Sequence, residues 1–171
     1  MLENNPLQQA FLKGTTPKNL EGFYKGRLLQ IFPNSIVEFL GGLAAKFWLP
    51  WHGKEFYKDK QEGDNILPLY LLPFISLRYG NKVILKKDGQ TIHAFPFKTT
   101  VKKGLKDDIQ VMQLDYDLQG NPPTVRNVID ELVCIGKNSY LGKAHIKNAN
   151  GFRTVAFFSL KTEFSKSMVS R

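Results

Sequence analysis

The sequence is poor in cysteine, and this excludes several kinds of site. Cys134 is the single cysteine in 171 residues, so the chain has no internal disulfide and no metal site built from several cysteines. It lies between apolar neighbours in "ELVCIG", where no basic neighbour would activate it as a nucleophile. We therefore predict a buried structural thiol.

Long apolar runs are also lacking. The longest apolar stretch, "ILPLYLLPFISL", is interrupted by Pro68 and Pro73 and is far shorter than the roughly 20 apolar residues of a membrane span. The N-terminus "MLENNPLQQAF" has neither the basic region nor the unbroken apolar region of a secretory signal. We therefore expect a cytoplasmic protein.

Local catalytic and cofactor motifs are missing as well. The chain has no G-x-S-x-G, and "GGLAAK" follows a predicted helix start rather than the strand that precedes a phosphate-binding loop. The histidines His52, His93 and His145 lie on separate predicted elements, with no pair at i, i+2 or i, i+4. A metal or haem centre is therefore not favoured, and we expect no cofactor and no dedicated catalytic residue.

Acidic residues are outnumbered by basic ones, 15 against 24, for a net charge of +9. From Gly136 onward the chain has seven Lys or Arg and one acid, Glu163. This excess is typical of a surface that contacts nucleic acid or another polyanion, but lysines also protect strand edges from aggregation. Because no run exceeds two consecutive basic residues, the second interpretation is favoured. Nucleic-acid binding stays an alternative, which needs aromatics and Lys/Arg on one outer face.

The chain is rich in short segments with the alternation and aromatic content of β-strands. "GFYKGRLLQIF" (22–32) is the first, and two hairpins follow from the turn dipeptides Asp88-Gly89 and Asn150-Gly151. Many short strands joined by hairpins favour a mainly β fold, an antiparallel up-and-down barrel of about eight strands or more. Such a barrel leaves room for one small ligand.

Two helical segments accompany the strands, and no linker or repeat divides the chain. Ser35 and Glu38 have the spacing of a capping box at the start of "NSIVEFLGGLAAKFW" (34–48), which predicts a short helix after the first strand. Residues 1–19 are expected to form an N-terminal arm or short helix. We predict a single domain over residues 1–171.

Two parts of the sequence resemble the lipocalin-like proteins of the calycin superfamily. "NLEGFYKGRLL" resembles the glycine-aromatic-glycine signature on their first strand, and "LDYDLQGNPPTVRNVIDELVCIGKNSYLGKAHI" resembles the C-terminal half of small bacterial members with a GxWxG-type start. The matching positions are Gly22, Tyr24, Gly26, Asp115, Tyr116, Pro122, Arg126, Asp130, Leu141 and Gly142. The chain departs from the pattern in having tyrosine at position 24 instead of tryptophan, and in lacking the "NFD" triplet.

This resemblance implies a barrel that holds a small hydrophobic or amphipathic molecule, anionic ones included, and it carries over no catalytic residues. The predicted ligand-binding residues are Tyr24, His93, Phe95, Phe97, Tyr116, Arg126, Tyr140, Arg153 and Phe157. Among them, His93, Phe95 and Phe97 share one face of a regular strand. Arg153 has two interpretations: it pairs with an anionic head group, or it packs over the first-strand aromatic and closes the barrel. Arg126 and Asp130 have the spacing of an ion pair on one helical turn.

The last predicted hairpin, "YLGKAHIKNANGFRTVAFF" (140–158), predicts which side chains face the interior of the barrel and which face solvent. A two- or four-residue loop places Tyr140, Gly142, Ala144 and Ile146 on the same face as Arg153, Val155 and Phe157. Lys143 and His145 then point to solvent. The partner expected from this wall is a small hydrophobic ligand. An isomerase, cyclase or lyase that uses the same pocket is the third hypothesis, and a polar interior would favour it.

Overall fold

The computed structural model describes residues 4–32, 50–80 and 84–162. Within these ranges, no helix is long and apolar enough to cross a membrane. The short helix predicted in residues 34–48 lies outside the described residues.

The described elements are mostly strands. The strands are β1 (Gly22–Ile31), β2 (Gly53–Tyr57), β3 (Glu62–Pro68), β4 (Ile84–Asp88), β5 (Thr91–Lys103), β6 (Gln110–Asp115), β7 (Val128–Gly136), β8 (Ser139–Asn148) and β9 (Gly151–Thr162). The helices are α1 (Pro6–Leu12), α2 (Leu72–Tyr79) and α3 (Pro123–Arg126), with 3₁₀ turns at Lys58–Lys60 and Leu69–Leu71.

Eight of the strands close into an antiparallel barrel, as the sequence predicts. The order around the barrel is β1-β2-β3-β5-β6-β7-β8-β9, and the pairing of β3 with β5 closes the ring. The strand β4 is additional and pairs with residues 91–94 of β5 through a turn at Gly89 and Gln90. This is the lipocalin-like architecture, in which the inner faces of all eight strands surround one interior.

The barrel has two distinct ends, which we name by the ends of β1. End A is where β1 begins and β9 ends, since Tyr24 pairs with Thr162. End B is where β1 ends and where the turn between β8 and β9 lies, since Ile31 pairs with Ala156 and Asn148 with Gly151.

A bulge in the last hairpin changes which residues face inward. At its tip Ile146 pairs with Arg153, as a four-residue loop predicts, but the register shifts between Ala144 and His145. Beyond the shift Gly142 pairs with Phe158, while Phe157 pairs with Lys143 on the outer face. The prediction that Phe157 lines the interior is therefore wrong, because one extra residue in β9 reverses the alternation.

A second bulge has the same effect on β5. Gly63 pairs with Phe97 but Asn65 pairs with Ala94, so β5 carries an extra residue at Phe95, whose φ is +53°. Ala94 and Phe97 therefore face inward, and His93 faces outward. The predicted alignment of His93, Phe95 and Phe97 on one face is wrong because it assumes an uninterrupted strand.

The helix α1 packs on the outside of the barrel. Asn5 caps it by accepting a hydrogen bond from the Leu7 amide at 2.8 Å. Phe11 is fully buried in a cluster with Val111, Val133 and Phe157. This contact with α1 explains why an apolar residue occupies position 157 on the outer face of the barrel. Cys134 is half-buried instead of buried.

Candidate functional site

A lysine and an aspartate form an ion pair across the interior of the barrel. Alternation along β2 points Lys54 and Phe56 inward, and alternation along β7 does the same for Asp130. Three strands separate β2 from β7 in either direction around the ring, so the two residues come from opposite walls. The Lys54 Nζ lies 3.0 Å from Asp130 Oδ2, and each side chain is 1 % exposed.

Two further polar residues complete the hydrogen bonds of the ammonium group. Lys54 Nζ donates to Asn65 Oδ1 at 2.9 Å and to the Tyr116 hydroxyl. Tyr116 in turn donates to Asp130 Oδ2 at 3.0 Å. An ammonium group has three N–H donors, so the three acceptors Asn65, Tyr116 and Asp130 use all of them. Lys54 therefore orients the network and has no donor left for another molecule.

Burial shifts the proton equilibria of this network. Desolvation lowers the pKa of Lys54, while the charge and hydrogen bond of Asp130 act to raise it. Desolvation and the charge of Asp130 together raise the pKa of Tyr116 well above its usual 10.0. Tyr116 is therefore a neutral donor at physiological pH.

Aromatic rings surround the Lys54 ammonium on its remaining sides. The centroids of Trp51, Phe97, Tyr116 and Phe158 lie 5.2, 5.1, 5.1 and 5.4 Å from Nζ. Ring faces at this distance attract a cation, and they exclude water from it. The lysine is thus held by four rings and three hydrogen-bond acceptors.

Three glycines make room for three of these rings. A Cβ atom at Gly26 would clash with the ring of Trp51, one at Gly63 with Phe97, and one at Gly142 with Phe158. The absence of a side chain therefore lets each ring lie flat against a neighbouring backbone. Gly26 and Gly142 belong to the segments that resemble lipocalin-like proteins, and this contact is a physical reason for their small size.

A small cavity lies beside the ion pair, on the side of end B. Its volume is about 20 Å³, room for about one water-sized group. It is lined by Leu28, Trp51, Lys54, Asp130, Ala144, Ala156 and Phe158. Two of these lining residues each carry a buried polar atom, Asp130 Oδ1 and Trp51 Nε1, that has no hydrogen-bond partner within the described parts of the chain.

A larger concavity lies at end A. It is a groove of about 460 Å³ between the segment that precedes β1, the turn from β2 to β3, and β5. Leu20, Phe56 and Met112 form its apolar floor, and threonines and charged residues form its rim. None of the unpartnered buried polar atoms found among the described residues belongs to its lining.

Five of the predicted site residues are in the interior or pack against its core. Tyr24 and Phe97 are buried in the main core with Tyr116, and Tyr140 packs against them with its ring 5.5 Å from that of Tyr24. Phe95 packs against Tyr79 and the apolar cluster of α2. Of the nine predicted residues, Tyr116 contributes its side chain to the hydrogen-bond network around Lys54, and Phe95 contributes its backbone carbonyl, which accepts from Asn65 Nδ2 at 3.0 Å.

The two predicted arginines have different outcomes: Arg153 pairs with Ile146 as predicted, whereas Arg126 does not make its predicted ion pair. Arg126 lies exposed on α3 and pairs with Asp117 at 2.6 Å, so its predicted pairing with Asp130 is wrong, because Asp130 points into the barrel. Arg153 lies at end B, nine residues before Thr162, the partner of Tyr24. That separation is roughly 30 Å along a strand, which excludes packing of Arg153 over the first-strand aromatic.

The residues that build the site were missed because they are polar. Lys54 has the same parity as Phe56 in "GKEFY", and Asp130 has the same parity as Val128 and Leu132 in "VIDEL". A charged residue that replaces an apolar one in an alternating pattern was therefore the available signal. Asn65 has no such signal, since β3 is buried along almost its whole length.

A second buried polar cluster lies outside the barrel, beneath α1. Lys143 pairs with Asp107 and lies 4.0 Å from Glu131, and Glu131 is 3.0 Å from His145. Lys143 is 1 % and His145 0 % exposed, so the prediction that both face solvent is wrong. They do lie on the outer face of β8, but α1 covers that face, and Gln8 of α1 donates to Asp107 at 2.7 Å.

This outer cluster makes stability depend on acidic pH. Burial acts to raise the pKa of Glu131, but His145, the Leu105 amide and Lys143 outweigh it, so the pKa lies below 4.5. A depressed pKa stabilises the fold above the unfolded-state value, and this contribution is lost as pH falls through the folded-state pKa. We expect the difference in unfolding free energy between wild type and Glu131→Gln to shrink from about pH 6 to about pH 3.

The measurement is urea unfolding followed by circular dichroism across that range. Glu62→Gln, at the start of β3, is the control for loss of one negative charge. A difference between wild type and Glu131→Gln that stays constant with pH would contradict this assignment.

Comparisons with known proteins agree with the barrel and give no family. Neither a family model nor a curated protein sequence matches the chain. A crystal structure of a protein from Thermomonospora curvata is similar over 90% of this chain and 83% of its own, with 12% identity and a TM-score of 0.51. Bovine odorant-binding protein in complex with its natural ligand gives 13% identity and a TM-score of 0.40, over 90% and 80% of the chains. The first similarity supports the fold alone.

Proposed function

We propose that the protein binds a small amphipathic molecule inside the barrel, in the half of the interior towards end B. The observation that carries this proposal is the cavity beside Asp130 and Trp51, because it combines unfilled space with buried polar atoms that lack partners. Ligand sites in proteins typically combine an apolar wall with a few convergent polar groups. The aliphatic part of the lining is Leu28, Ala144 and Ala156.

The size of the cavity determines how a ligand fits. About 20 Å³ receives one polar group and not a whole molecule. The remainder of the ligand then extends towards end B, where Ile31, Ile146 and Val155 continue the apolar wall past the two alanines. Side chains at this end must move to admit it, so we expect slow or temperature-dependent association.

Filling the cavity tests the location of the site. Ala156→Val adds two methyl groups where the cavity now is, and we expect it to weaken binding of the neutral apolar fluorophore N-phenyl-1-naphthylamine. Ala149→Val, at the exposed turn between β8 and β9, is the matched control and is expected to bind like wild type. The measurement is the fluorescence increase on titration.

Two outcomes would contradict the proposal in different ways. Equal binding by both variants would move the site to another place, of which the groove at end A is the first candidate. The proposal of ligand binding inside the barrel is wrong if the protein does not bind this fluorophore and if native mass spectrometry after gentle purification shows no retained small molecule. Oligonucleotide binding that falls steeply with salt would instead favour the nucleic-acid alternative.

A further inference from the structure

Two residues that line the cavity each carry an unpartnered polar atom, and these two atoms indicate which chemical group the cavity accepts. Asp130 Oδ1 is an acceptor, and the Trp51 indole N–H is a donor. Both are buried without a partner in the parts of the chain that the structure describes. Leaving such groups unpaired costs roughly 1–3 kcal/mol each, and more when charged. A guest that donates one hydrogen bond and accepts another therefore relieves both.

Charge narrows the choice of guest further. The +1 charge of Lys54 is balanced by the −1 charge of Asp130 at 3.0 Å, and all three N–H donors of the ammonium are used. A carboxylate guest would place its charge beside Asp130 Oδ1 with no free cation to meet it. An ammonium guest would pair with Oδ1 but offer nothing to the Trp51 N–H.

We propose that the cavity binds the neutral hydroxyl end of a ligand with an aliphatic tail, the hydroxyl donating to Asp130 Oδ1 and accepting from Trp51 Nε1. A hydroxyl combines donor and acceptor in one heavy atom, which matches a cavity of about 20 Å³. The inference rests on the proposed function, because it assumes that the interior takes a ligand at all. It replaces the anionic head group expected from Arg153 with a neutral one.

A series of eight-carbon probes with different head groups tests this choice. The probes are 1-octanol, octanoate and octylamine, each displacing N-phenyl-1-naphthylamine from the full chain at neutral pH. We expect 1-octanol to bind at least about 10-fold more tightly than octanoate, a difference of 1.4 kcal/mol. Octylamine is expected between the two, because it satisfies Asp130 Oδ1 alone.

Trp51→Phe tests the donor while keeping both members of the ion pair. It removes the indole N–H but keeps an aromatic ring against Gly26. We expect this variant to lose most of the preference for 1-octanol over octylamine, measured as the ratio of the two affinities within the same variant so that a change in its fluorophore affinity cancels. Ala149→Val is again the control, since it lies outside the interior.

Failure of this inference is distinguishable from failure of the proposed function. If the fluorophore binds and octanoate displaces it as effectively as 1-octanol does, the head-group assignment is overturned. Binding of a ligand inside the barrel is then still supported. The same holds if Trp51→Phe leaves the alcohol preference unchanged. A single trapped water would give this pattern, because the polar atoms would then already be satisfied. If no probe binds, both proposals fall.

Discussion

Replacing Asp130 with leucine is expected to lower the free energy of unfolding by about 3–5 kcal/mol. The substitution leaves the Lys54 ammonium 1 % exposed, without its counter-ion, in a cage of aromatic rings. The double variant Lys54→Met/Asp130→Leu removes both charges and is expected to unfold with a free energy close to that of wild type, because a well-packed apolar pair often replaces a buried ion pair without loss. Urea unfolding at neutral pH measures both.

The pH dependence of the single variant identifies the cause of the loss. Burial already lowers the pKa of Lys54, and Asp130 is the group that opposes this. Without Asp130 the pKa falls further below the unfolded-state value of 10.5, so the unfolded chain binds more protons than the folded chain across that window. Stability then rises with pH there. We expect the Asp130→Leu variant to regain part of its lost stability between about pH 7 and pH 10.

An exposed ion pair provides the control. Lys86 and Asp88 lie 3.3 Å apart, with side chains 55% and 64% exposed, and Asp88→Leu is expected to change stability by less than about 1 kcal/mol. If Asp130→Leu has an equally small effect, the interior ion pair is solvated in solution and the dry aromatic cage is wrong. A double variant as unstable as the single one would show that the polar network is needed for more than charge balance.

The sequence predicted the barrel, but it did not predict for every strand which residues face inward. Alternation and turn dipeptides locate strands well, because each depends on residues that are neighbours along the chain. Bulges such as those at Phe95 and beyond Ala144 depend on how a strand meets its partner. One extra residue reverses all later positions, which is why His93 and Phe157 were placed on the wrong face.

The site was harder to predict for a related reason. Lys54 and Asp130 meet only because the barrel closes and brings β2 opposite β7, and no local pattern relates these strands. The prediction of aromatic walls identified Phe97 and Tyr116 correctly as interior side chains. It missed the charges because polar residues in alternating strands are usually solvated. The same default placed Lys143 and His145 in solvent, whereas the separate helix α1 packs over Lys143, and His145 is buried against Glu131 and Thr154.

Gly142→Ala is expected to lower the free energy of unfolding by about 1–3 kcal/mol, the usual effect of overpacking a core. Its Cβ would lie well inside 3.0 Å of the Phe158 ring. That ring has little freedom to move away, because it is 4 % exposed and packs edge-on against Trp51 at 5.5 Å. Displacing it also disturbs the aromatic cage around Lys54. Urea unfolding measures the loss, and the near-ultraviolet circular dichroism of tryptophan reports the displacement.

Gly136→Ala is the matched control, at the end of β7. A Cβ there would have nothing within 4 Å, so the change removes only the extra freedom of the unfolded chain and is expected to be neutral or to stabilise by up to about 1 kcal/mol. Equal losses in both variants would mean that backbone conformation, and not contact with Phe158, requires glycine. A selective loss at Gly142, with altered Trp51 packing, would tie this glycine directly to the geometry of the buried lysine.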